Sequence, residues 1–170
     1  MIIDPKYILD NNIVTLPSSV TTDQVLQPNG IDLYVNEIFE LQKSYDSENF
    51  ITIGDLVKTK HAAQNQLHPK IDDNNREYFT LLSNNLYKVE TNYGIDIPKD
   101  MVAYIFTRSS LNRNGNLIGS GLWDSGFKGS IGTTLYTFNN MHLVKPCKIA
   151  QIVFIKAESS YLYQGQYQSK

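Results

Sequence analysis

Met101-Val102-Ala103-Tyr104-Ile105-Phe106-Thr107 runs without a break into Arg108-Ser109-Ser110-Leu111-Asn112-Arg113-Asn114-Gly115. The first seven residues are apolar, β-branched or aromatic, the composition of a strand, and the Ser-Ser pair reads as that strand turning into a short helix. Further strands are expected over Ile31 to Val35, Phe79 to Leu82, Leu86 to Tyr93, Ser130 to Phe138 and Lys148 to Lys156, separated by punctuation such as Ile97-Pro98-Lys99-Asp100. Short strands spaced in this way by Pro, Gly and Asn point to an all-β sandwich or barrel. At the start of the chain, Asp4-Pro5 suits an N-cap and a first helical position, so a short helix is expected there. Asn65 to Arg76 is the most polar stretch and is expected as an exposed loop. Tyr104 and Phe106, alternating with Ala103 and Ile105, are expected to be packing residues.

The chain has 170 residues, with 15 basic and 17 acidic side chains and a formal charge of -2. That length suits one domain over residues 1–170, able to bury roughly 68 to 70% of its unfolded surface without a staple. Near-balanced charge argues against a nucleic-acid coat or a polybasic membrane binder, so any anion site must be local. A single cysteine, Cys147, excludes an intramolecular disulfide and the multi-cysteine zinc arrangements, and it is expected to be an inert small residue before a strand. His61, His68 and His142 show no metal-ligand spacing. No basic stretch followed by a long apolar run opens the chain, and no run of 18 apolar residues occurs; the expectation is a soluble, cytoplasmic protein.

Three segments carry chemistry. In Arg108 to Gly115, two arginines and two serine hydroxyls can face one anion, since guanidinium groups are bidentate donors matched to phosphate oxygens. Its ordinary reading is a helix cap with solvated arginines. In Gly121-Leu122-Trp123-Asp124-Ser125-Gly126-Phe127-Lys128-Gly129, a turn can aim the Asp124 carboxylate into a cleft, where it would accept a proton from water. Taken alone, Asp-Ser-Gly is a turn whose carboxylate caps backbone N–H groups. In Gln27-Pro28-Asn29-Gly30-Ile31-Asp32-Leu33, an acid enters an apolar strand, where it needs a partner of the type of Arg108 or Arg113.

In this order the three segments resemble the dCTP deaminase and trimeric dUTPase superfamily. Gln27 to Leu33 is similar to its first motif, Arg108-Ser-Ser-Leu-x-Arg113-x-Gly115 to its second, and Asp124-x-Gly-Phe127-x-Gly129 to its third. Lys148-Ile149-Ala150-Gln151-Ile152-Val153-Phe154 resembles the fourth, and Tyr163-Gln-Gly-Gln-Tyr167-Gln168 resembles a deaminase-type C-terminal arm, here residues 159–170. The resemblance implies a distorted β-barrel or jelly roll with short helices, assembled as a homotrimer whose sites draw on more than one chain. It further implies that Ser109, Ser110 and Arg113, with Arg108, hold a triphosphate, and that Asp124 directs the attacking water. Phe127 would pack on the deoxyribose, the Gly115 to Trp123 hairpin with Gly121 and Trp123 would read the base, and Tyr167 and Gln168 would close over it. Asp32 would support the site. Mg²⁺ in this superfamily is held mainly by triphosphate oxygens and water, and no protein metal ligands are expected.

The superfamily's two activities need different acids. Its deaminases carry a proton-shuttling glutamate ten residues after the third-motif aspartate; here that position is Thr134, whose hydroxyl cannot replace a carboxylate. Residues 129–156 contain no Asp or Glu, so a substitute is not found along this segment. Hydrolysis between the α- and β-phosphates needs phosphate binding, a cation and a water-directing carboxylate, and Asp124 is present for the last. The expected activity is therefore dUTP hydrolysis to dUMP and pyrophosphate with Mg²⁺. A dCTP deaminase or bifunctional enzyme, and a non-catalytic nucleotide-binding regulator, stand as alternatives.

Overall fold

The computed structural model describes residues 1–45, 50–54, 60–165 and 168. The Asp4 carboxylate accepts from the Lys6 backbone N–H at 2.9 Å and Pro5 occupies the first turn, so α1 (Pro5–Asp10) forms where sequence capping rules place it. After β1 (Val14–Thr15) and the single turn α2 (Thr22–Val25), closed by a Thr21/Gln24 capping box, come β2 (Leu26–Gln27), β3 (Gly30–Tyr34), β4 (Glu37–Leu41), β5 (Gln64–Leu67), β6 (Lys70–Ile71), β7 (Glu77–Leu81), β8 (Asn85–Asp96) and β9 (Met101–Thr107). A further turn of helix, α3 (Ser109–Asn112), precedes β10 (Leu117–Ile118), β11 (Leu122–Trp123), β12 (Lys128–Thr137), β13 (Met141–Val144) and β14 (Lys148–Lys156).

All described strand pairings are antiparallel. One sheet runs β10-β12-β8-β4-β5 with β1 added on β8, a second runs β11-β9-β14-β3-β2, and a small third runs β13-β7-β6. Their inward faces share one core: Tyr87, Val89, Ile131 and Leu135 from the first sheet meet Ile31, Leu33, Ala103, Ile105 and Ile152 from the second. The fold is all-β with short helices, as expected. Among the described residues no sheet closes on itself, however, so the distorted barrel is corrected to open sheets packed over one core. No helix among the described residues is long and apolar enough to cross a membrane.

Two local expectations also change. Residues 65–76 contain β5 and β6 rather than only loop, and both strands are largely exposed. Edge strands wet on both faces bury little, so polar side chains are tolerated and the alternation that marks a strand disappears. Phe106 was expected to pack, yet it is 49% exposed; alternation does hold along β9, but Ala103 and Ile105 face the core while Tyr104 and Phe106 face outward.

Candidate active site

The turn after β11 is held from three sides. The Phe127 N–H donates to the Asp124 carbonyl at 3.1 Å, the Gly126 N–H donates to the Ile97 carbonyl at 2.9 Å, and the buried Ser125 hydroxyl donates to the Met101 carbonyl at 2.7 Å. Gly126 has φ +81°, a conformation that glycine adopts without Cβ strain. The turn presents Asp124, exposed, at a cavity of about 270 Å³ lined by Leu122, Trp123, Asp124, Phe127, Ser130 and Tyr163.

The chain's own C-terminal segment lies over this turn. The Tyr163 N–H donates to the Ser125 carbonyl at 2.8 Å, and the Ser125 and Ser159 hydroxyls are 2.8 Å apart. The Tyr163 ring meets Phe127 edge-on, with centroids 5.3 Å apart and planes at 76°. Gln168 adds two contacts, its Nε2 donating to the Gly126 carbonyl at 3.0 Å and its Oε1 accepting from the Lys128 N–H at 3.2 Å. Tyr167 lies outside the described residues. The structure thus brings together Trp123, Asp124, Phe127 and Gln168. It adds Leu122, Ser130 and Tyr163, which sequence reasoning did not single out as site residues, although Tyr163 opens the arm motif.

At the other end of β9 the strand turns into a short helix, as read. Arg108 is the N-cap of α3, and Ser109, Ser110 and Arg113 stand exposed around its single turn. Arg108 itself is engaged: its Nε lies 3.5 Å from Asp32 Oδ1, and its Nη1 donates to the Lys148 carbonyl at 3.3 Å. Asp32 is 1% exposed, and Lys148 Nζ stands 3.4 Å from its second oxygen. Asp32 therefore has the arginine partner expected of it and a lysine that was not foreseen.

Within one chain the two halves of the predicted site do not meet. Trp123, next to Asp124, pairs with Ala103 near the start of β9, whereas Ser109 lies beyond Thr107 at its end. At 3.3 Å rise per residue, that separation is about 20 Å.

The stretch expected as a base-reading hairpin is not one hairpin. β10 pairs with β12 in one sheet and β11 pairs with β9 in the other, so residues 115–123 cross between the sheets. Gly121 is exposed, with open space where a Cβ would stand. Gly119 packs so closely on Thr134 that no larger side chain fits between them. A carboxylate does occur near Thr134, supplied by the paired strand: Glu90 is opposite Gly132, with Oε2 2.8 Å from the position of a Cβ there. Its Oε1 is ion-paired with Lys88 at 2.7 Å. Searching along β12 alone missed it, because cross-strand neighbours are set by register.

A family model described as dCTP deaminase-like matches residues 6–157. The chain is 31% identical over 150 residues to a probable deoxyuridine 5'-triphosphate nucleotidohydrolase of Aeropyrum pernix, covering 85% of this chain and 86% of the relative. It is 26% identical over 148 residues to a protein of the same name from Halobacterium salinarum, covering 86% and 84%. In fold it is similar to a 2'-deoxycytidine 5'-triphosphate deaminase from Agrobacterium tumefaciens, with a TM-score of 0.63 at 16% identity over 90% of this chain. The chain spans about half of that deaminase, 47%. With the match running through every motif from Asp32 to Phe154, the chain belongs to the dCTP deaminase-like family.

Proposed function

We propose that the protein is a dUTP diphosphatase, hydrolysing dUTP to dUMP and pyrophosphate. The observation that carries this reading is the placement of Asp124: an exposed carboxylate at a cavity walled by Trp123 and Phe127, with a neutral Thr134 at the position where deaminases carry their acid. The names of the Aeropyrum and Halobacterium relatives point the same way.

In this mechanism Asp124 accepts a proton from water and directs it at the α-phosphate, while Ser109, Ser110 and Arg113 bind the remaining phosphates and stabilise charge moving onto the leaving pyrophosphate. Phe127 packs on the deoxyribose, and Tyr163 and Gln168 of the arm, residues 159–170 of the single domain, restrict water entry. An Mg²⁺ ion carried mainly by triphosphate oxygens and water belongs to this reading. When bound, that ion supplies charge neutralisation on the phosphates.

The water and the phosphate ligands must act within a few ångströms of each other. Because one chain holds them about 20 Å apart, each site takes Asp124 from one subunit and Ser109 to Arg113 from another, as in a homotrimer. Outward apolar side chains support association: Leu117, Tyr136 and Leu86 form one cross-strand row on the first sheet, at 48%, 38% and 42% exposure, and Leu122 and Tyr104 pair on the second.

One observation favours dCTP deamination as a second reading, the Glu90 carboxylate over Gly132. Its Oε1 is already paired with Lys88 at 2.7 Å, so part of the carboxylate is taken up by a neighbour on its own strand. Product analysis with dUTP and dCTP separates the readings, and binding without turnover of either would indicate a regulatory protein.

A further inference from the structure

We infer that Lys148 is a positioning residue for the triphosphate site, acting through Asp32 to leave Arg108 available to the anion. The inference rests on the diphosphatase reading and names how its phosphate end is held.

Asp32 is on β3, which pairs with β14, and β14 pairs in turn with β9; Lys148 stands at the start of β14 and Arg108 just past the end of β9. Its side chain is 2% exposed, so its charge must be balanced within the protein. Two cations share it. Arg108 Nε is 3.5 Å from Oδ1 and Lys148 Nζ is 3.4 Å from Oδ2, both longer than the 2.7–2.9 Å of a full charge-assisted hydrogen bond. Oδ2 has no hydrogen-bond partner among the described residues. Neither cation therefore monopolises the carboxylate.

Lys148 is fixed from its own side. Its ammonium donates to the Gln24 carbonyl and lies 5.4 Å from the centre of the Tyr34 ring, which keeps the charge beside Asp32. Arg108 is held by its backbone N–H on the Ile149 carbonyl and by Nη1 on the Lys148 carbonyl. A guanidinium has five N–H donors. With only Nε and one Nη1 proton committed among the described residues, the others remain for phosphate oxygens beside Ser109 and Ser110. One carboxylate between two cations also leaves a net positive charge, and Arg108 is the more exposed of the two, at 36% against 21%.

Lys148→Met removes the second cation. Asp32 then draws the Arg108 guanidinium into a bidentate pair, taking its donors from the anion and pulling on the N-cap of α3. Asp124 stands at the far end of β9, so the water-directing geometry stays intact. The expected result is a KM for dUTP raised about tenfold with kcat changed less than about threefold. Lys148→Arg, which keeps the charge, restores KM to within about threefold of the parent.

The decisive arm is a double-mutant cycle. In an Asp32→Asn background no buried charge demands a partner, so adding Lys148→Met changes KM by less than about twofold. Additive effects in that background, an unchanged KM in Lys148→Met, a kcat loss equal to the KM effect, or failure of Lys148→Arg to rescue would overturn the inference. If Lys148→Met alone does not fold, the Asp32→Asn single and double variants and Lys148→Arg carry the same comparison. If the parent protein binds but does not turn over dUTP, the diphosphatase reading fails on its own. The cycle is then read on the dissociation constants for dUTP by calorimetry. A parent protein that binds no dUTP overturns both.

Discussion

Asp124 and Ser109 stand at opposite ends of β9. Trp123 fixes the first by pairing with Ala103, and the N-cap of α3 fixes the second just past Thr107. With about 20 Å between them, Asp124→Asn and Arg113→Ala should be complementary lesions. Each variant alone is expected to lose turnover, whereas equal mixtures refolded together should recover about a quarter of the parent activity, the fraction of interfaces at which both intact groups meet. Absence of recovery contradicts a site shared between subunits.

Asp124→Asn keeps the size and hydrogen-bonding shape of the side chain but cannot accept a proton from water. Its kcat for dUTP should fall about 10² to 10⁴-fold, while the nucleotide dissociation constant from calorimetry stays within about threefold. Parallel loss of binding would make Asp124 a ligand rather than a base.

Gly126→Ala introduces strain at the turn that the arm covers. The φ of +81° disfavours any Cβ, and that Cβ would stand 2.9 Å from Leu162 Cβ. A loss of about 1–3 kcal/mol in thermal unfolding is expected, together with faster proteolysis after Tyr161 or Leu162 as the arm lifts. Unchanged proteolysis would mean that the arm does not rest on the turn.

Cys147 gives a pH-dependent readout. Burial pushes its thiol above the ordinary 9.0, and the Arg108 charge opposes this only in part. Iodoacetamide at pH 7.5 should therefore react more slowly with the folded protein than with a free thiol. Because the folded state favours the neutral thiol, this contribution to stability is present below pH 9.0 and is lost as pH rises through the folded value. Cys147→Ser should reduce the alkaline loss of stability; an identical profile contradicts the shift.

Met101–Thr107 was legible because alternation records burial on one face, and Lys148–Lys156 because a short apolar run marks a strand buried on both; both form with the boundaries read from sequence. β5 and β6 left no such record, since both are exposed edges. The motif residues Asp32, Ser109, Ser110, Arg113, Asp124 and Phe127 could be named because local spacing carries them. Pairings that depend on strand register could not: Lys148 reaches Asp32 across β14 and β3, and Glu90 reaches Gly132 across β8 and β12. The same holds for the separation of the site's halves, which follows from β11 pairing with the first part of β9.

The most direct test is to incubate the purified protein with dUTP and with dCTP, separately, in the presence of Mg²⁺, and to resolve the nucleotide products by anion-exchange chromatography. Conversion of dUTP to dUMP with dCTP left intact is the predicted result. Appearance of dUTP or dUMP from dCTP, or two unchanged substrates, would contradict it.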